Sequence, residues 1–467
     1  MGIPAAEAEL SASPDVSENQ GDRPMTMRSC CIVWMLALLA AATATAQTPE
    51  PAAPEAVLPA AELARRIDAY VRPFEAAGLI SGSLLVARDS VVVYERSFGM
   101  ANYELGVPST PATRFCVASI SKPMTQIVAI RLMEQKKLAL GDPLAKWFPD
   151  FPRAQDITVE HLFRHRAGIP HRVTSDADEI VAHSAADMVE FAKKKEILFE
   201  PGSQSLYSSA GYSVLARVLE LAAGRSFEEL LEEFVFAPAG AVQSVHPGAR
   251  RLIPNRAQGY AWGPHGPVQA PLRDYSYLVG AGSIFSTPRD LLAIQQALVS
   301  GAYGESARRS LVDENGLDWN GITDAYRAFA DYHAGSKLAV IFTANRFTGA
   351  ADLMRRDIPK IVAGETVPPP QVPKVEPVAV PPASRARFEG TYEVNGSPED
   401  LRFDGADGTL ASLGNWPLVA VSEDTFYSPQ DFGKVKVVTG KDGEVEGLDW
   451  ESPTYRVQFP RHRGVFR

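Results

Sequence analysis

The chain has 467 residues, 45% hydrophobic and 22% charged, enough to bury one large core and a smaller one. A formal net charge of -10 and the lack of a long basic run exclude a surface built for phosphate backbones, so nucleic acid is not an expected partner; "AKKKE" at 192–196 reads as a solvated helix face. Cys30 and Cys31 fall early in the chain and leave Cys116 alone beyond them, which excludes an internal disulfide framework and a cysteine metal cluster and makes Cys116 a small buried apolar residue.

Residues 1–46 read as a leader. Arg28 precedes an apolar core that ends in Ala44, Thr45 and Ala46, the order of a secretory signal with an A-x-A cleavage site, with Gln47 as the expected mature start and Met25 or Met27 as candidate initiators. The apolar core is short and alanine-rich for a membrane span, so export to the periplasm or medium is expected; a retained N-terminal anchor is the alternative.

A Pro/Ala-rich spacer, 47–60, leads into the first domain, 61–364. "AELARRIDAYVRPFEAAG" has helical apolar spacing and stops at Gly78, and "GSLLVAR" and "VVVYERSFG" form a hairpin around Arg88, Asp89 and Ser90. The middle of the domain is mostly helical, with Thr287, Pro288 and Asp290 marking one helix start. Two further strands, "AYRAFADY" and "KLAVIFTAN", follow across "HAGS". Strands first, helices between and strands last predict an α/β (α+β) domain in which both chain ends close one sheet. "ETVPPPQVPKVEPVAVPPAS" then predicts a stiff linker over 365–383, and six short alternating runs from "ARFEGTYEV" to "TYRVQF" predict a small antiparallel barrel over 384–467.

Chemistry enters at "FCVASISKPMTQIVAIRLME". A chain this long contains about one S-x-x-K by chance, so the tetrapeptide alone decides nothing. On a helix, however, Ser119 and Lys122 share a face one turn apart, and a lysine kept dry enough to lose its proton activates a serine hydroxyl. The plain alternative is a serine cap followed by a solvated lysine. His161 and His165 stand four apart as zinc ligands do, but "HLFRH" lacks the metalloprotease glutamate and a third ligand. There is no G-x-S-x-G elbow and no glycine-rich phosphate loop after a strand.

The wider sequence resembles the serine hydrolases of the β-lactamase and penicillin-binding protein superfamily, in the class C β-lactamase and esterase branch, over roughly 61–350. The resemblance rests on the hairpin-to-S-x-x-K run, on "LALGDPLAKWFPDFP" and "ITVEHLFRHRAGIP", on "FEPGSQSLYSSAGYSVLARVLELAAG" and on "GAGSIFSTPRDLL". It implies a β-lactamase-like antiparallel sheet flanked by helices with a helical insert. It also implies Ser119 as nucleophile, Lys122 as its partner and Tyr207, in the Y-x-N block, as a proton relay. Ser209 stands where the branch has asparagine and is shorter; His165 falls at a position the branch uses structurally.

The third motif of the branch falls on Trp319, Asn320 and Gly321 rather than on "HAG" at 333–335, because Trp319 lies two strand lengths before the terminal "TAN". The resemblance then places the oxyanion amides at Ser119 and Ile322 and substrate contacts at Ser209, Trp319, Asn320 and Gly321. Tryptophan at the head of this motif brings area but no positive charge, favouring neutral esters or amides over carboxylate-bearing β-lactams and D-alanyl peptides. No metal and no cofactor are implied. The expected function is an exported esterase or amidase; the alternatives are a D-alanyl peptidase or β-lactamase acting on cell-wall-like substrates, and a non-catalytic binding or sensing protein of the same fold.

Overall fold

The expected hairpin is present as strands Gly82–Arg88 and Val91–Phe98, and its two turn residues, Asp89 and Ser90, both take positive φ (49° and 68°), the geometry that matches the twist of a two-residue β-turn. The computed structural model describes residues 58–462, apart from 248–250, 264–265, 395–396, 405–406 and 415; the leader and nearly all of the 47–60 spacer lie outside the described residues. Strand Gly82–Arg88 pairs antiparallel with Leu338–Ala344, Gly82 opposite Ala344; Arg327–His333 follows, then Gly316–Ile322 at the sheet edge. Both ends of the domain therefore meet in one five-stranded sheet, as expected.

Both faces of this sheet are covered, which explains why its strands are apolar runs rather than alternating ones. Leu85, Ala87, Ala330 and Ile341 face a core shared with helices Ser121–Glu134, Ser209–Ala223 and Pro288–Ser300. Their neighbours Leu84, Val86, Phe329 and Phe342 face the opposite core, under helices Ala60–Ala76 and Ala350–Val362. Each such fully buried leucine or phenylalanine contributes ~1.5–3 kcal/mol. The predicted start at Thr287 is a true cap: its Oγ1 accepts from the Asp290 amide, with Pro288 in the first turn.

The C-terminal region forms an eight-stranded, up-and-down antiparallel sheet running from Gly390–Val394 to Arg456–Pro460. A bridge between Tyr392 and Arg461 nearly closes it into a barrel. Two of its strands, Thr425–Ser428 and Val445–Glu451, are additional to the six expected runs, and the "ARF" of the first run belongs to a helix, Pro382–Phe388, whose Phe388 plugs the barrel core. The segment between the domains is irregular and not free-standing: the Val378 amide donates to Ala420 O at 2.8 Å, Val380 is fully buried, and Val367 and Val372 pack on the first domain.

The barrel is seated on the hydrolase-like domain by rings and a close backbone approach. Phe432 stacks on the buried Phe74 at 5.9 Å, and Trp416 meets Phe347 edge-on at 5.2 Å. Gly349 donates its amide to Gln430 O, and a Cβ there would lie 2.6 Å from the Asp431 Cα, so only glycine permits this approach. The loop carrying these groups is braced by Asp431, whose carboxylate accepts from the Trp450 indole at 2.8 Å and from the Gly433 amide. Phe432→Ala is expected to cost ~1–3 kcal/mol and to split one calorimetric transition into two, the barrel melting first.

Candidate active site

Ser119 lies in a 3-10 turn, Ala118–Ile120, that runs directly into helix Ser121–Glu134. The turn is tight because Ala118 takes φ +49, a left-handed conformation that costs alanine roughly 1–2 kcal/mol. It is held from two sides: the Val117 amide donates to Ile284 O at 2.9 Å, and Gly321 of the edge strand lies so near that a Cβ there would sit 2.1 Å from Val117 O. Gly321 thus brings the edge strand against the serine turn, and Ile322 follows it to the rim of the cavity beside Ser119.

Lys122 is buried, at 5% exposure, and points inward. Its Nζ lies 3.2 Å from Ser119 Oγ, 3.2 Å from Ser209 Oγ and 2.9 Å from the Ala281 carbonyl. None of these partners is charged, so burial is uncompensated and pushes the amine down to about 7. In the structure Lys122 Nζ donates to all three; a neutral amine would keep two N–H groups for Ala281 O and Ser209 Oγ and leave its lone pair facing the Ser119 hydroxyl. Ser209 therefore reaches Lys122 although it is shorter than asparagine. The Ala281 carbonyl is delivered by a segment in which Gly280 O accepts from Thr125 Oγ1 at 2.6 Å, so the lysine helix and this segment are clamped together.

Tyr207 donates its hydroxyl to Ser119 Oγ at 2.7 Å, and its ring lies over the lysine, 4.6 Å from Nζ to centroid. Desolvation of the phenol raises its pKa, opposed by the bond to Ser119, so it is a protonated donor at neutral pH even though one edge of the ring faces solvent. Two histidines fix this block. His165 stacks on Tyr207 at 4.6 Å and its Nδ1 accepts from the Ser208 amide at 3.1 Å; burial, then the charge of Lys122, lowers it to about 4, so it is neutral. His171 accepts the Ser209 amide at 3.3 Å and is likewise lowered by burial; sequence reasoning did not single it out, and 38 residues separate it from its partner. His161 completes a helix cap with Thr158.

A cavity of about 300 Å³ opens beside Ser119 and Ser209. Its far wall is ionic: Arg273 pairs with Asp324 (3.2 Å) and Asp176 (2.8 Å), and Arg172 pairs with the buried Glu179 (2.6 Å) and with Asp176 (2.5 Å). Nothing in the motifs marked this wall, because its members come from loops a hundred residues apart.

Two expected substrate contacts need correction. Trp319 is 6% exposed and packs in the core under the sheet, since strand alternation turns it to the helix-covered face, where its apolar area is buried. Asn320 turns to the other face and its Oδ1 accepts from the fully buried Arg327 guanidinium, which also pairs with Asp352 at 2.6 Å. Neither lines the cavity beside Ser119.

Comparison with known proteins gives the family and the fold. The family profile described as Beta-lactamase matches residues 67–358. A penicillin-binding protein of Bacillus subtilis (strain 168) is 31% identical over 252 residues, 49% of this chain and 55% of the relative. Esterase EstB of Burkholderia gladioli is 31% identical over 202 residues, 39% of this chain and 51% of the relative. The chain thus spans about half the length of the curated relatives it matches. The crystal structure of SurE shares the fold at a TM-score of 0.55 and 22% identity, over 86% of this chain and 99% of that one, so the likeness extends into the barrel.

Two outcomes test the site geometry. In a lysine Cε NMR titration Lys122 is expected to lose its proton near pH 7, far below the ordinary lysine range. Gly321→Ala is expected to lower stability by ~1–3 kcal/mol and slow fluorophosphonate labelling of Ser119, because the added methyl forces the edge strand off the Ala118 turn.

Proposed function

Because the chain belongs to the β-lactamase family, we propose that it is a serine hydrolase that cleaves a neutral ester or amide through an acyl-enzyme on Ser119. The observation that carries this reading is the dry, uncharged setting of Lys122 at 3.2 Å from Ser119 Oγ, with Tyr207 at 2.7 Å from the same atom.

In this reading Lys122 is the base. Ser119 gives its proton to Nζ while Oγ attacks the carbonyl carbon, and negative charge moves to the carbonyl oxygen, where the Ser119 and Ile322 amides receive it. On collapse, the leaving group takes the Tyr207 proton, and the Lys122 ammonium restores the phenol. Water then attacks the acyl-enzyme by the same route, releasing the acid and returning the proton to Ser119. His165 and His171 hold Tyr207 and Ser209 in place and are uncharged at neutral pH. Export by the N-terminal leader belongs to the same proposal.

Similarity to a penicillin-binding protein favours a second reading, cleavage of D-alanyl peptides or β-lactams of the cell-wall type. The neutral head of the third motif, with Trp319 in the core, weighs against it, because no lysine or histidine there meets a substrate carboxylate.

Purified protein is expected to be labelled by a fluorophosphonate and to hydrolyse a short-chain nitrophenyl ester in preference to a chromogenic cephalosporin or a D-alanyl-D-alanine peptide. Ser119→Ala should abolish labelling; labelling that survives it would move the nucleophile elsewhere. Tyr207→Phe should lower kcat ~10²–10⁴-fold. Ester turnover should rise with pH through about 7, since the deprotonated amine is the active form. Cephalosporin or peptide turnover above the ester rate would establish the second reading instead.

A further inference from the structure

A second cavity, about 450 Å³, lies between the barrel and the hydrolase-like domain, within the usual ~300–1,000 Å³ of small-molecule sites. The turn Ile322–Thr323–Asp324 lines both this cavity and the one beside Ser119. It is a fixed divider: Thr323 Oγ1 accepts from the Tyr326 amide at 2.9 Å, and the Thr323 amide donates to Tyr326 O at 2.9 Å. Beyond the divider the walls are Trp262 and Phe347 on one side and Trp416, Pro417 and Leu418 of the barrel on the other. The described lining residues include two carboxylates, Asp324 and Asp404, and no lysine or arginine.

We propose that this barrel-walled cavity is a subsite for an apolar, uncharged acyl group, so that the C-terminal barrel sets acyl-chain selectivity. The inference rests on the proposed acyl-enzyme at Ser119. The direction follows from where the proton donor stands. Tyr207 lines neither cavity and keeps one edge in solvent, so a leaving group protonated by its hydroxyl departs on that side. The acyl group then extends the other way, along the edge strand and over Ile322, whose side chain is 48% exposed at the junction. Trp416 is held for this contact by edge-on packing against Phe347 and against Trp450 at 5.4 Å. With Asp324 already paired to Arg273, the Asp404 carboxylate and the lack of a lysine or arginine among the described lining residues disfavour an acyl chain that ends in a carboxylate.

The test uses the full chain and nitrophenyl esters from acetyl to octanoyl, with each methylene buried past Ile322 raising kcat/KM up to about fourfold. Trp416→Ala, and separately the cavity-filling Ser412→Phe, should each lower the octanoyl-to-acetyl ratio of kcat/KM by ~tenfold. Thermal melts check that each variant is folded, and two variants guard against a failure of either one. A flat chain-length series, or a ratio unchanged in both folded variants, overturns the proposal. Octanamide supplies a readout without turnover: it should quench tryptophan emission of wild type and bind ~tenfold more weakly to Ser412→Phe. Quenching without ester turnover would retain the subsite and refute the Ser119 chemistry, whereas turnover without chain-length dependence would do the reverse.

Discussion

The site depends on one electrostatic omission. Lys122 is taken out of water and given hydroxyls, a carbonyl and two ring faces, but among the described residues no carboxylate pairs with it. A single aspartate in place of Ser209 would supply a partner, hold the ammonium charged and remove the proposed base. The surrounding architecture serves to keep water and counter-charge out: the lysine helix is buried along almost its whole length, the segment 280–284 is clamped to it through Thr125 and Ser121, and Tyr207 lies over the amine like a lid.

That arrangement requires three distant segments to converge on one helix turn, and the sheet makes this happen. The strand from the start of the domain is zipped to the last, which places the edge strand beside the serine turn, and Gly321 removes the side chain that would hold the two apart. The strained Ala118 is the point where these constraints meet. Its left-handed backbone persists because hydrogen bonding of Val117 to Ile284 and the pressing edge strand over-determine it.

Much of this was legible in the chain. The hairpin, the sheet closed by both ends, the capped helix at Thr287 and the grouping of Ser119, Lys122, Tyr207 and Ser209 follow from periodicity and ordered motifs, because those features are local or repeat a known pattern. What escaped was set by tertiary context. "TFYS" is a four-residue strand with no alternation to mark it, and "VEGLDWE" carries Gly447 and acidic residues that read as turn. The place of Trp319 in a motif pointed to the cleft, but strand alternation delivers it to the core. His171 acts through one amide bond to Ser209, a relation no spacing rule encodes.

Selectivity in such a site is built as much by what is withheld as by what is offered. Arg172 and Arg273 stand near enough to Ser119 to attract a substrate carboxylate, yet both are already engaged by Glu179, Asp176 and Asp324, with Glu179 fully buried. An incoming carboxylate would have to compete for guanidiniums that are already paired, and drawing them away from Glu179 would leave a buried acid short of its partners. A neutral acyl group disturbs none of them. In the proposed reading, the self-paired ionic wall, the core-facing Trp319 and a second cavity whose described lining holds no lysine or arginine act in the same direction: they tax charge and leave apolar contact as the means of discrimination.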